Sequence, residues 1–247
     1  MRNIELVIEY DGSRYNGWQK QQNRKAVTIQ DKIEDVLEKM EGEKIEVIGA
    51  ARTEPGVHAY SQIANFKTNT NMKLYEIKHY LNRYLPQDIA VMQVLEVPER
   101  FHSSYLAKSF EYEYKITTGE VPSVFQRKYN FYSFHELDIA KMKKAAEYFI
   151  GKHDLRAFSD NKRMKKTTVR EIYSLEIDTN INEINIHIEA DDFWPRMARI
   201  IIGTLIEVGR GNINPAEIPD IIQSQDRGKA GPAAEAKGLF LTEVVYE

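Results

Sequence analysis

The hydrophobic pattern changes period several times along the chain, and each change predicts an element. Ile4, Leu6, Ile8 and Tyr10 alternate with Glu5 and Glu9, which predicts a strand that Asp11-Gly12 ends. From Val27 to Met40 the apolar residues Ile29, Ile33, Val36, Leu37 and Met40 follow helical spacing. Lys44 to Ala50 and Ser61 to Lys67 read as strands. Leu74, Ile77, Leu81 and Leu85 mark a second helix, which Pro86 stops. Ile89 to Val97 is a β-branched apolar run closed by Pro98. The order is β-α-β-β-α-β, the split-βαβ or ferredoxin-like pattern.

The second half predicts the same order. Phe110, Tyr112, Tyr114 and Ile116 alternate with Glu111, Glu113 and Lys115, as in a half-buried strand. Leu137 to Ile150 is an amphipathic helix. Two further alternating runs centre on Leu175 and Ile186. Phe193 to Val208 reads as a buried helix ended by Gly209-Arg210-Gly211. Pro215 to Gln223 suggests a short extra helix, and Leu239 to Tyr246 a final strand. The expected fold class is therefore α+β, with two ferredoxin-like sub-domains, residues 1–100 and 101–247, antiparallel sheets and a central cleft. Residues 117–136 form a long aromatic-rich connection, and long connections in compact proteins are often functional. Such folds host many activities, so the fold alone does not name one.

Composition narrows the choice mainly by exclusion. The 247 residues are 42% hydrophobic and 29% charged, which is ordinary for a globular protein. The absence of cysteine excludes disulfides, cysteine-ligated metals and thiol catalysis. The six histidines show no metal-ligand spacing, and no phosphate-binding glycine motif occurs, so neither metal nor cofactor is expected. The N-terminus lacks the apolar region of a signal peptide, and no apolar run approaches the ~18 residues of a membrane span. A cytoplasmic protein with no membrane association is the expectation. Net charge is −3, which by itself leans against nucleic acid. Local charge differs. Lys162, Arg163, Lys165 and Lys166 cluster, as do Arg14, Lys20, Arg24 and Lys25. Each is a candidate phosphate patch, although a solvated loop is the simpler reading of either. Asp191-Asp192 reads as an acidic pair at a helix N-terminus.

The chemistry concentrates in Ala51-Arg52-Thr53-Glu54-Pro55-Gly56-Val57-His58. An arginine and a hydroxyl flank a carboxylate in a Pro-Gly turn. Arginine keeps a carboxylate ionised and directs it. Proline holds the residue before it extended. Taken alone, the segment is as readily a surface turn with an incidental ion pair.

The surrounding motifs change that balance. The loop resembles the Gly-Arg-Thr-Asp-Ala-Gly-Val-His motif of the tRNA pseudouridine synthase A family. Tyr10-Asp11-Gly12, Gly17-Trp18-Gln19 and Thr28-Ile29-Gln30 are similar to the family's opening motifs. Phe101-His102, Ala107, Tyr112, Gly151-Lys152-His153-Asp154, Phe158 and Thr168-Val169-Arg170 follow in the family's order. So do Phe193, Met197, Arg199, Gly203, Val208-Gly209, Pro232-Ala233-Ala234 and Gly238-Leu239. The resemblance implies cofactor-free isomerisation of uridine to pseudouridine in the anticodon stem-loop of tRNA, by a homodimer. It implies that the residue at 54 is nucleophile or base, that Tyr112 stacks on the uracil, and that Arg199 pairs with the carboxylate at 54. Arg52 would hold the displaced nucleotide. Thr53 and His58 belong to the same substrate-binding loop, and His153, Arg163, Lys165 and Lys166 are phosphate-contact candidates. Four positions depart from the pattern: Glu54 stands for aspartate, Ala51 for glycine, Pro55 for alanine, and Ser104 for the usual arginine. The alternative expectation is a catalytically weak or silent RNA-binding or tRNA-chaperone member of the same family.

Overall fold

The computed structural model describes residues 1–21, 26–160 and 167–246. Arg24 and Lys25 of one basic cluster lie outside the described residues, as do Arg163, Lys165 and Lys166 of the other. The chain divides into two compact units, Met1–Lys108 with Phe240–Glu247, and Ser109–Leu239.

The first unit contains β1 (Arg2–Tyr10), α1 (Ile29–Glu41), β2 (Val47–Gly49), β3 (His58–Thr68), α2 (Leu74–Tyr84) and β4 (Ile89–Val97). β1 lies between β4 and β3, antiparallel to both, and β2 pairs antiparallel with β3. The resulting order β4-β1-β3-β2 is that of a ferredoxin-like sheet. Helix α1 starts where Thr28 Oγ1 accepts from the Asp31 amide, and stops at Gly42 in the left-handed region. Ile4, Leu6 and Ile8 of β1 are fully buried, as are Ile29, Ile33 and Leu37 of α1 and Ile77 and Leu81 of α2. The 3.6-residue and two-residue periods thus mark one shared core.

The second unit contains β5 (Ser109–Thr117), β6 (Phe131–Tyr132), α3 (Ile139–Glu147), β7 (Gly151–Asp154), β8 (Val169–Asn180), β9 (Glu183–Ala190), α4 (Met197–Gly209) and α5 (Ile218–Ser224). Its sheet order is β5-β9-β8-β7 with antiparallel neighbours, and β6 adds a short parallel pairing to β5. Helix α4 is apolar over most of its surface, and Met197, Ile200, Ile201, Ile202 and Leu205 are fully buried. It begins at Met197, four residues later than the apolar run suggests, because Arg196 is left-handed at φ 64° and breaks the helical path. Asp191 and Asp192 are therefore not at its N-terminus. Asp191 accepts from the Glu171 amide and Asp192 pairs with Arg170, so both serve the β8 end.

The last strand, β10 (Leu239–Val245), is the feature periodicity could not place. Expected within residues 101–247, it runs parallel to β3 of the first unit, with Phe240 opposite His58 and Leu241 opposite Ala59. β2 and β10 occupy different stretches of β3, at Ala64–Phe66 and His58–Ala59 respectively.

Leu6→Ala should cost about 3 kcal/mol, because a fully buried side chain on a central strand leaves a cavity its neighbours cannot close. Urea unfolding checks this, with a lower midpoint and an unchanged slope as the expected outcome.

Candidate active site

The segment between β2 and β3 is fixed almost residue by residue. Ala50 donates to the Ile63 carbonyl at 2.7 Å. Gln62, fully buried on β3, clasps the Ala51 backbone from both sides, accepting from its amide at 3.1 Å and donating to its carbonyl at 2.8 Å. The Val57 amide closes on the Glu54 carbonyl at 3.1 Å. Gly56 there has φ 80°, so Glu54-Pro55-Gly56-Val57 is a type II turn with proline and glycine at its two demanding positions. Between these anchors Thr53 is buried, Glu54 is half-buried and Arg52 is exposed.

A second segment braces the first. Between Ile8 and Tyr10 the pairing of β1 with β3 slips, from Ile8 opposite Gln62 to Tyr10 opposite Ala59. Bulges of this kind re-aim side chains beside functional sites. Here the slip accompanies a hydrogen bond of 2.7 Å between the Tyr10 hydroxyl and Thr53 Oγ1. Burial drives the Tyr10 phenol well above its ordinary range, against the hydrogen bonds to Thr53 and Gln62, so it stays neutral. The chain after β1 then crosses the loop at backbone contact. Trp18 donates its amide to the Thr53 carbonyl at 3.0 Å. A Cβ on Gly12 would sit 1.9 Å from the Val57 oxygen, and one on Gly17, at φ 86°, would sit 2.5 Å from the Thr53 oxygen. His58, 1% exposed, receives the Gly12 amide at Nδ1 (3.1 Å), lies 3.2 Å from Asp11 Oδ1, and stacks on Phe240 with ring centroids 4.7 Å apart. His58 thus orders the loop base from beneath.

In the second unit, Tyr112 on β5 is 8% exposed and meets Phe193 edge-on at 5.2 Å. Arg199 lies in the first turn of α4. Its Nε donates to the Ala234 carbonyl at 2.6 Å, and its own carbonyl receives the Ala234 amide at 2.8 Å. The segment carrying Ala234 can approach because residue 203 is glycine, where a Cβ would lie 1.8 Å from the Pro232 oxygen. Gly231 donates to Thr204 Oγ1 at 3.0 Å. His153, half-buried, holds Nε2 3.0 Å from the Ile150 carbonyl. Arg163, Lys165 and Lys166 lie outside the described residues. The structure therefore gathers Arg52, Thr53, Glu54 and His58 on one braced loop, and places Tyr112 and Arg199 in the unit formed by Ser109–Leu239. Among the described residues no group of three histidines, cysteines or carboxylates could hold a metal ion, and no helix is long and apolar enough to cross a membrane.

The model of the tRNA pseudouridine synthase family matches residues 6–106 and 145–247. The tRNA pseudouridine synthase A of Bacillus sp. (strain KSM-64) is 47% identical over 246 residues, covering 100% of both chains. The protein of the same name from Thermoanaerobacter sp. (strain X514) is 45% identical with the same coverage. A tRNA pseudouridine synthase A 2 from Bacillus anthracis is 42% identical, again over both whole chains. The chain belongs to the tRNA pseudouridine synthase family, and its enzyme class is that of an isomerase. The braced loop and Arg199 fall inside the matched residues, whereas Tyr112 falls between the two matched spans.

Gly17→Ala should destabilise the first unit by at least about 2 kcal/mol, since the new methyl meets a left-handed backbone and the Thr53 oxygen together. Thermal melting against wild type measures the loss.

Proposed function

We propose that this protein converts uridine to pseudouridine in tRNA, on the 3′ side of the anticodon stem-loop, with Glu54 in the role the family gives to aspartate. The observation that carries this reading is the type II turn that presents a half-buried carboxylate from a backbone held at Ala51, Thr53 and Val57. The target nucleotide leaves its stack at a cost of a few kcal/mol. The Glu54 carboxylate then acts as nucleophile or base while the N1–C1′ bond breaks. The uracil turns and C5 bonds to C1′; Glu54 leaves the sugar if it had bonded there, or returns the proton it took if it acted as base; the proton on C5 is then lost to a base and N1 regains one, so the atoms balance without a cofactor. In this reading Tyr112 stacks on the uracil and assists removal of the proton. Arg199 is the cation that the family assigns to the reacting carboxylate. Arg52, exposed on the loop, holds the displaced nucleotide, while the buried Thr53 and His58 support the loop from within. Arg163, Lys165 and Lys166 contact phosphates.

Glutamate reaches roughly 1.5 Å further than aspartate, one bond length. A misplacement near 1 Å can cost about a hundredfold in rate. Proline at position 55 fixes the first corner of the turn, which supports a backbone set to suit the longer side chain. Glu54 and Ser104 together favour a second reading, a catalytically weak or silent RNA-binding or tRNA-chaperone member. Mass spectrometry of uridine-containing tRNA separates the two. Expected are pseudouridine with the wild type and a loss of about a hundredfold or more in Glu54→Gln, with tRNA affinity kept within about threefold. Normal tRNA affinity with no turnover, gained only on Glu54→Asp, would establish the second reading instead.

The same proposal includes a homodimer gripping one tRNA, and a cytoplasmic location. The support for the dimer is the connection between β5 and α3, where Val121, Val124, Phe125 and Phe134 are 79%, 66%, 90% and 82% exposed. Exposed apolar side chains mark interaction surfaces where they form a contiguous patch. Light scattering should give twice the chain mass of 28.7 kDa, and Phe125→Asp should shift the protein toward monomer.

A further inference from the structure

Arg199 is held from two directions, by the start of α4 and by the segment that carries Ala234. Both supports trace back to one carboxylate in the same unit. Asp160 follows the short 3-10 turn Arg156–Phe158, which is anchored by the buried Leu155, Ala157 and Phe158. Its Oδ2 accepts from Arg196 Nη1 at 2.9 Å and its Oδ1 from Arg227 Nε at 2.8 Å, one oxygen for each guanidinium. Arg196 is the left-handed residue whose turn sets the direction of α4, and its side chain makes no capping bond to the helix. Arg227 extends the network by donating Nη1 to the Gly231 carbonyl at 3.0 Å. Gly231 in turn donates to Thr204 on α4, and three residues later Ala234 exchanges hydrogen bonds with Arg199. Burial raises the Asp160 pKa, but hydrogen bonds from Arg227 and Arg196 outweigh it and hold the group below the usual carboxylate range.

We infer that Asp160 is a positioning residue for Arg199, orienting its guanidinium through Arg196 on one side and through Arg227 and the 231–234 segment on the other. This rests on the reading that Arg199 serves the reaction. Removing the carboxylate would take the shared partner from both guanidinium groups and loosen both supports at once. An ordinary surface ion pair predicts almost no effect on removal. A positioning role predicts an effect at Arg199 itself.

The test is Asp160→Asn in the full chain, read at the Arg199 Nε–H resonance, which is assigned by its loss in Arg199→Lys. Expected are at least tenfold faster solvent exchange of that proton and a fall of about tenfold in kcat, with KM for tRNA within about twofold. Asp160→Glu, which keeps the charge, should lose less than Asp160→Asn. Arg227→Lys, which keeps charge but loses the bond to Gly231, should disturb the same resonance and serves if Asp160→Asn does not fold. An unchanged Arg199 resonance in folded Asp160→Asn would overturn the inference, even if stability falls. A disturbed resonance in a protein whose wild type makes no pseudouridine would uphold the positioning and remove the assigned reaction.

Discussion

The backbone contact between residues 12–18 and the loop 53–57 is the constraint on which the candidate site depends. Two glycines allow it, because any side chain at Gly12 or Gly17 would overlap a carbonyl oxygen of the loop. The contact converts a connection between two strands into a layer supported from below. Trp18 supplies an amide to Thr53, Tyr10 supplies a hydroxyl to the same residue, and Gln62 occupies both polar groups of Ala51. Buried polar groups left without partners would cost about 1–3 kcal/mol each, so these bonds protect the loop as well as shape it. What remains at the surface is Arg52, Pro55 and part of Glu54 and Gly56.

The second unit solves a similar problem with the same device. Gly203 lets the Pro232 carbonyl reach the surface of α4, and this brings Ala234 within hydrogen-bonding distance of Arg199. In each unit a missing Cβ brings a second backbone close to the element that bears a charged group. The polar group that results is aimed by main-chain atoms, which move less than side chains. Electrostatic stabilisation of a reaction relies on such preorganisation.

Most of the fold was legible because its signals are local. Ile29, Ile33 and Leu37 announce α1, and Phe110, Tyr112, Tyr114 and Ile116 announce β5. The Pro-Gly pair announced the turn, and the ordered motifs identified the family. Two of the misses share one cause, which is that they depend on partners far apart in sequence. Nothing local shows that β10 pairs with β3, or that Asp160 meets residues 36 and 67 positions away. The late start of α4 was hidden because Phe193 and Trp194 continue the apolar run, while the left-handed turn at Arg196 is carried by a residue type that rarely adopts it. The roles of Gln62 and Tyr10 were equally silent, since a buried glutamine and a strand tyrosine have no distinctive spacing.

The placement of β10 also bears on how the chain is made. The first unit is discontinuous, with Phe240 arriving 182 positions after the His58 it stacks upon. During synthesis at about 5–20 residues per second, residues 1–108 leave the ribosome roughly ten seconds before that strand. In that interval the strip of β3 that will receive β10 is an unpaired edge beside the nascent loop that carries Glu54. The loop's aromatic support is therefore completed only after the intervening unit has been translated, so a chain interrupted before Phe240 carries Glu54 on an unfinished base.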